Sequence, residues 1–194
     1  MHTRPGGPAG SVGFLNPNTR LKVVDPVTGE ELGENKDGEL LIKGSHVTKG
    51  YFRNPEANRI AFDTEGWFRT GDIGHYDEYG IIFLVGRLKE LIKYKGFQVS
   101  PAELENLISS HPKVSDVGVV GIKDDEAGEV PKAFVVRKDS SLTEKEVSDF
   151  VKDRVSKYKH LRGGVEFVGE IPKNDTGKIL RRKLMERDAV KSRM

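Results

Sequence analysis

Apolar residues follow two regimes along the chain. Up to Gly86 they come in short runs separated by turn residues; beyond it, helical stripes alternate with further short runs. Residues 1–20 read as loop, because Pro5, Gly6, Gly7, Pro8, Gly10 and Asn16-Pro17-Asn18 punctuate closely. Leu21–Val24 has strand character, a turn falls at Thr28-Gly29, and Gly38 precedes a strand over Glu39–Lys43. Asn54–Phe62 predicts a short helix, with Asn54 as its cap and Pro55 at its first position. Ile81–Val85 is a continuous apolar run of strand length.

In the second regime, Leu88–Tyr94 and Phe97–Val99 flank Lys95-Gly96, a hairpin signal. Ser100-Pro-Ala-Glu103 has the form of a capping box, and Leu104, Leu107 and Ile108 behind it form an i, i+3, i+4 stripe. Val117–Ile122 and Ala133–Val136 read as strands. Thr143-Glu-Lys-Glu146 is a second capping box, followed at helical spacing by Val147, Phe150, Val151, Val155 and Tyr158. Val165–Val168 predicts a strand and Ile179–Val190 a last helix. The pattern therefore predicts several β-strands in residues 1–86 and an α+β domain in residues 87–194. The first piece holds little apolar material for an independent fold and reads as part of a larger sheet structure.

Composition narrows the classes of function. The chain has 194 residues, enough for one or two domains. Its 32 Lys+Arg and 30 Asp+Glu leave a net charge of +2, so no overall field favours nucleic acid or an anionic membrane. No run approaches the ~20 apolar residues of a membrane span. With no cysteine, disulfides, thiolate metal sites and a cysteine nucleophile are excluded. The polar, Gly/Pro-rich N-terminus lacks the apolar core of a signal peptide. None of the five histidines has metal-ligand spacing with another ligand on one helix face, and no metal site is expected.

Three clusters carry candidate chemistry. In Gly66-Trp-Phe-Arg-Thr-Gly-Asp72, a carboxylate beside a glycine turn either accepts two ribose hydroxyls or simply caps the turn. In Gly86–Gln98, Lys89, Lys93 and Lys95 share strand parity and would project from one face. That row is either a solvated basic face or a cradle for a phosphate ester. In Pro172–Lys178 the terminal Gly-Lys is not a P-loop, because Pro172 and Ile179 stand where a glycine and a Ser/Thr are required. Its lysine is either a surface residue or a cation poised to neutralise charge on a transferring group.

Read in order, the segments GYFRNPEA (50–57), GWFRTGD (66–72), GRLKELIKYKGFQVSPAELE (86–105), HLRGGVEFV (160–168) and IPKNDTGK (171–178) resemble the adenylate-forming enzymes. That superfamily includes acyl-CoA synthetases, 4-coumarate-type ligases and beetle luciferases. The resemblance runs from about Gly10 to Val190. It implies that residues 1–86 are the last piece, a β subdomain, of a large AMP-binding N-terminal domain. Residues 87–194 would be the mobile C-terminal domain. The family's Gly/Ser/Thr-rich phosphate loop, Tyr-Gly-x-Thr-Glu segment and acid pocket are not among these residues.

The implied reaction is ATP-dependent adenylation of a carboxylic acid, fatty or aryl, followed by thioester formation with coenzyme A. Lys178 matches the adenylation lysine, and Asp72 and Arg87 match residues that hold the ribose hydroxyls. Lys89 matches the hinge, where other members have Asp. Lys93 and Gln98 match residues of the second step, and Lys95, Gly96 and Phe97 the turn beside the pantetheine channel. Mg2+ is expected with ATP, without ligands identified in this chain. The alternatives are a luciferase-type monooxygenase sharing the adenylation step, or a non-catalytic truncated isoform. Ser192-Arg193-Met194 resembles the peroxisomal Ser-Lys-Leu signal. It implies an import-receptor partner and a peroxisomal location, with the cytoplasm as alternative.

Overall fold

The computed structural model describes Pro8 and residues 10–191. Ser192-Arg193-Met194 lies outside the described residues. The chain divides into two compact units, Met1–Lys89 and Glu90–Met194.

The first unit is built on one antiparallel sheet. Its strands are β1 (Ser11–Gly13), β2 (Thr19–Val24), β3 (Glu31–Leu32), β4 (Gly38–Gly44), β5 (Phe68–Tyr76) and β6 (Ile82–Arg87), in the order β1-β6-β5-β4-β2-β3. Val23, Leu40 and Ile82 are buried at its core, backed by Val12, Leu15, Leu21, Leu32 and Tyr76. A helix, α1 (Pro55–Ala61), lies between β4 and β5. Its start is as the sequence predicts: Asn54 Oδ1 accepts from the Ala57 amide at 3.0 Å, and Pro55 opens the first turn. The helix buries none of its side chains.

Two features depart from the expectation. Residues 11–13 and 19–20, read as loop, are strands. Ser11 and Gly13 pair with Phe83 and Ile82, a partner about seventy residues away that local composition does not reveal. Asp72 and the residues before it, read as a glycine turn over 66–72, lie mostly in the nine-residue strand β5. Its glycines serve the strand. A Cβ on Gly74 would stand 2.2 Å from the Phe83 carbonyl oxygen, so only glycine permits that approach. Gly71 takes a left-handed φ of 69°.

In the second unit, β7 (Ile92–Tyr94), β8 (Phe97–Val99), β9 (Val114–Asp124), β10 (Gly128–Arg137) and β11 (Val165–Phe167) form a mixed sheet with helices α2 (Pro101–Ser109), α3 (Glu144–Lys152) and α4 (Arg181–Lys191). β10 pairs antiparallel with β9, parallel with β11 over Ala133–Val135, and antiparallel with β7 at Gly128. Strand alternation divides the sheet residues between two clusters. Val117, Val119, Ala133 and Val135 pack with Leu104 and Ile108 of α2 and Val147 and Val151 of α3. The intervening Val120 and Phe134 pack with Ile171 and with Leu184 of α4. Phe134 is fully buried, and its truncation to Ala would cost about 3–5 kcal/mol.

Ser100 and Thr143 cap α2 and α3, accepting from the Glu103 and Glu146 amides at 3.3 and 3.1 Å. The acids at the end of each box are used elsewhere: Glu103 binds Lys159 and Glu146 binds Lys113. α3 stops at Lys152, so Val155 and Tyr158 do not extend its stripe; Tyr158 lies in a separate 3₁₀ turn, Lys157–Lys159. The last helix opens at Arg181, because Ile179 is bridged to Lys173 and packs into the Phe134 cluster.

Candidate active-site surfaces

The first surface lies where β5 meets β6. Asp72 and Arg87 are direct register partners, and Arg87 Nε stands 2.7 Å from Asp72 Oδ1. The Asp72 amide donates to Thr70 Oγ1 at 3.0 Å, and that hydroxyl donates to the Leu40 carbonyl at 2.7 Å. Gly71, in its left-handed conformation, lets the Thr70 side chain reach back in this way. Asp72 is thus held in a strand rather than in the turn expected from its sequence. Both members of the pair remain partly open to solvent. The arrangement offers a carboxylate and a guanidinium side by side, acceptor next to donor, as a vicinal diol or a phosphate ester requires.

The second surface is the β7–β8 hairpin. Lys95 and Gly96 both have positive φ, 45° and 83°, the two-residue geometry that matches strand twist. Lys93 and Gln98 are cross-strand partners, and both are exposed. The Lys93 amide donates to Glu129 Oε2 at 2.9 Å and the Lys95 amide to the Ala127 carbonyl at 2.9 Å, so the hairpin is tied to the start of β10. Phe97 stacks on Tyr158, with ring centroids 4.7 Å apart, yet stays 53% exposed. Sequence reading missed Tyr158 here, having given it to a helix stripe; sixty-one residues separate the two rings, and no local signal joins them.

The expected row of three lysines does not form. Lys89 lies in the 3₁₀ turn Leu88–Glu90, which breaks strand parity, and only Lys93 belongs to the strand while Lys95 occupies the turn. Lys89 is instead the last residue of the first unit.

The third surface is the loop before α4. Asn174 Oδ1 accepts from the Thr176 amide and hydroxyl at 3.1 and 2.8 Å and from the Lys178 amide at 2.8 Å. The Asn174 amide donates to the Lys178 carbonyl at 2.9 Å, and the Gly177 amide donates to the Asn174 carbonyl at 2.9 Å. Gly177 takes φ +81° to close the turn. The backbone is thereby pinned while the Lys178 side chain is exposed, its ammonium without an ion pair among the described residues. Neighbouring Lys173 is bound to Asp116 at 2.6 Å. A fixed backbone presenting one uncompensated cation suits stabilisation of developing anionic charge.

Among the described residues no three His, Cys, Asp or Glu side chains gather closely enough to hold a metal ion. No helix among them is long and apolar enough to cross a membrane.

The family described as AMP-binding enzyme C-terminal domain matches residues 103–178, and the AMP-binding enzyme family matches residues 2–52. The chain is 51% identical over 179 residues to "Probable 4-coumarate--CoA ligase 2" of Dictyostelium discoideum, covering 92% of this chain and 32% of that protein. It is 52% identical over 178 residues to "Peroxisomal OPC-8:0-CoA ligase 1" of Arabidopsis thaliana, covering 91% and 32%. The crystal structure of ATP-bound MatB from Rhodopseudomonas palustris superposes with a TM-score of 0.85 at 36% identity, over 92% of this chain and 35% of that one. The chain belongs to the adenylate-forming enzyme superfamily. It spans about a third of the length of these relatives, which bear the names of CoA ligases.

Proposed function

We propose that this chain is the C-terminal third of an acid–CoA ligase, which adenylates a fatty or aryl carboxylic acid with ATP and then transfers the acyl group to coenzyme A. The observation that carries the reading is the Lys178 turn, a rigid backbone presenting one unpaired ammonium. The names of the relatives support the reaction class. In this account Met1–Lys89 closes the AMP-binding domain and Glu90–Met194 is the mobile domain, with Lys89 at the hinge.

In the first half-reaction the acid's carboxylate attacks the α-phosphorus and pyrophosphate leaves. Lys178 bridges the carboxylate and α-phosphate oxygens as charge builds between them. Asp72 accepts from the ribose hydroxyls, and Arg87 keeps its carboxylate oriented. Mg2+ accompanies ATP as its phosphate complex. In the second half-reaction the thiol of coenzyme A attacks the acyl carbon and AMP departs. Lys93 and Gln98, adjacent on the hairpin face, approach the adenylate, and Lys95, Gly96 and Phe97 border the pantetheine path.

The test joins this chain to the preceding two-thirds of the Dictyostelium ligase. The chimera should release pyrophosphate in an acid-dependent manner and form acyl-CoA, whereas the 194 residues alone should release almost none. A folded chimera without acid-dependent release would overturn the reading.

We further propose a peroxisomal address in Ser192-Arg193-Met194, supported by the tripeptide and by the peroxisomal name of one relative. Deleting these three residues should release a tagged protein into the cytosol; unchanged distribution would refute the address.

A further inference from the structure

Arg181 is the first residue of α4 and stands three positions after Lys178. Its guanidinium is largely buried and fully engaged. Nη1 and Nη2 bind the two carboxylate oxygens of Glu105 on α2, the latter at 3.1 Å, and Nε binds Glu90 Oε2 at 2.9 Å. Nη1 also donates to the Val119 carbonyl of β9 at 3.3 Å, while Glu105 Oε1 accepts from the Val119 amide at 2.8 Å. One side chain thus fastens four places: the start of α4, α2, β9 and Glu90, the first residue of the second unit. Burial by itself would lower the Arg181 pKa, but the hydrogen bonds and charges of Glu105 and Glu90 outweigh it and raise it.

The neighbouring cations do different work. Arg182 pairs along the exposed helix face with Glu186, and Arg187 with Glu166. Only Arg181 reaches back to the residue that follows Lys89. The chain between Lys178 and Arg181 is also short and held: Ile179 packs into the Phe134 cluster, and the Leu180 amide donates to the Pro172 carbonyl at 2.8 Å. Little slack remains between the guanidinium and the lysine turn. The fork to Glu105 fixes the orientation of the guanidinium, and its Nε carries a single charge-assisted bond to Glu90, so Glu90 and the base of the turn share one oriented group.

We propose that Arg181 is a positioning residue that ties the Lys178 turn to Glu90, the first residue of the second unit. The inference rests on the ligase reading only for its consequence in catalysis; the tie itself is a property of this chain.

Hydrogen exchange on the 194-residue protein tests the tie without nucleotide. In Arg181→Met, exchange in residues 172–180 and in residues 90–92 should rise together by about tenfold or more, while α3 keeps its protection. Arg181→Lys should restore part of it. A rise confined to 172–180, or one uniform over the whole second unit, would overturn the proposal. If Arg181→Met does not fold, Glu90→Gln removes the Glu90 charge and leaves the Glu105 fork; it should still loosen residues 172–180, and unchanged exchange there would overturn the proposal. In the chimera, Arg181→Met should lower kcat for acyl-adenylate formation about tenfold with KM for ATP changed less than twofold, and Arg181→Lys should recover part of the rate. An unchanged kcat, or a loss wholly in KM, contradicts positioning of Lys178. An inactive parent chimera bears on the ligase reading, and the exchange data then decide the tie.

Discussion

Arg87 and Asp72 face each other across the β5–β6 pair, with Nε 2.7 Å from Oδ1. The pair is partly solvated, so its contribution to folding is small, about 0–1 kcal/mol. In the proposed ligase the pair fixes a carboxylate whose hydrogen bonds to ribose hydroxyls would be worth about 1.5–3 kcal/mol. Asp72→Ala in the chimera should therefore weaken ATP binding by roughly tenfold or more while shifting the melting temperature little. Calorimetric titration with ATP, beside a thermal melt, separates the two effects. A large melting shift with unchanged affinity would assign the pair to structure alone.

The Lys95-Gly96 turn makes a backbone prediction. Both residues adopt left-handed φ, which costs a non-glycine residue about 1–2 kcal/mol. Gly96→Ala should destabilise the second unit by about 1–2 kcal/mol, although no atom would crowd the new Cβ. Lys95→Gly should stabilise it by about 0.5–1 kcal/mol, the relief being offset in part by unfolded-chain entropy. Urea unfolding of both variants checks the opposite signs.

The attachment of α4 carries a pH prediction. Lys132 lies 3.0 Å from Glu166, binds Asp188 of α4, and shares Glu166 with Arg187. Burial would raise the Glu166 pKa, but Arg187, Lys132 and Lys191 outweigh it and hold it below the usual 4.5. Burial would lower the Lys132 pKa, but Asp188 and Glu166 raise it above the usual 10.5. The Glu166 contribution is thus present above its unfolded pKa and lost as pH falls through its lower folded one. The Lys132 contribution is present below its unfolded pKa and lost as pH rises through its higher folded one. Protection of α4 amides should stay level between these limits and fall beyond each. Lys132→Met, which removes one cation shared by Glu166 and Asp188 while Arg187 and Lys191 still face Glu166, should cost about 1–3 kcal/mol at neutral pH; an unchanged stability would contradict the role.

Much of this organisation is legible in the sequence where a local signal determines it. Asn54-Pro55, Ser100-Pro101 and Thr143 mark helix starts because their side chains cap within three residues, and Lys95-Gly96 marks a hairpin because two residues suffice to close it. β5 is hidden because Gly71, which suggests a turn, is there for a left-handed kink, and Gly74 for a close approach to Phe83. The lysine row failed because the turn at Leu88–Glu90 breaks strand parity there, and Glu90 meets Arg181 ninety-one residues away. The Lys178 turn was visible as a Gly-Lys turn, but the Asn174 side chain that pins it shows only in the folded loop.

The most direct measurement is the separation of half-reactions in the chimera. Lys178→Ala should reduce acyl-adenylate formation by about 10²–10³-fold and leave thioester formation from supplied acyl-adenylate within a few-fold of the parent. Lys93→Ala should show the reverse bias. If both variants lost the same half-reaction, the assignment of the two lysines to successive steps would be contradicted.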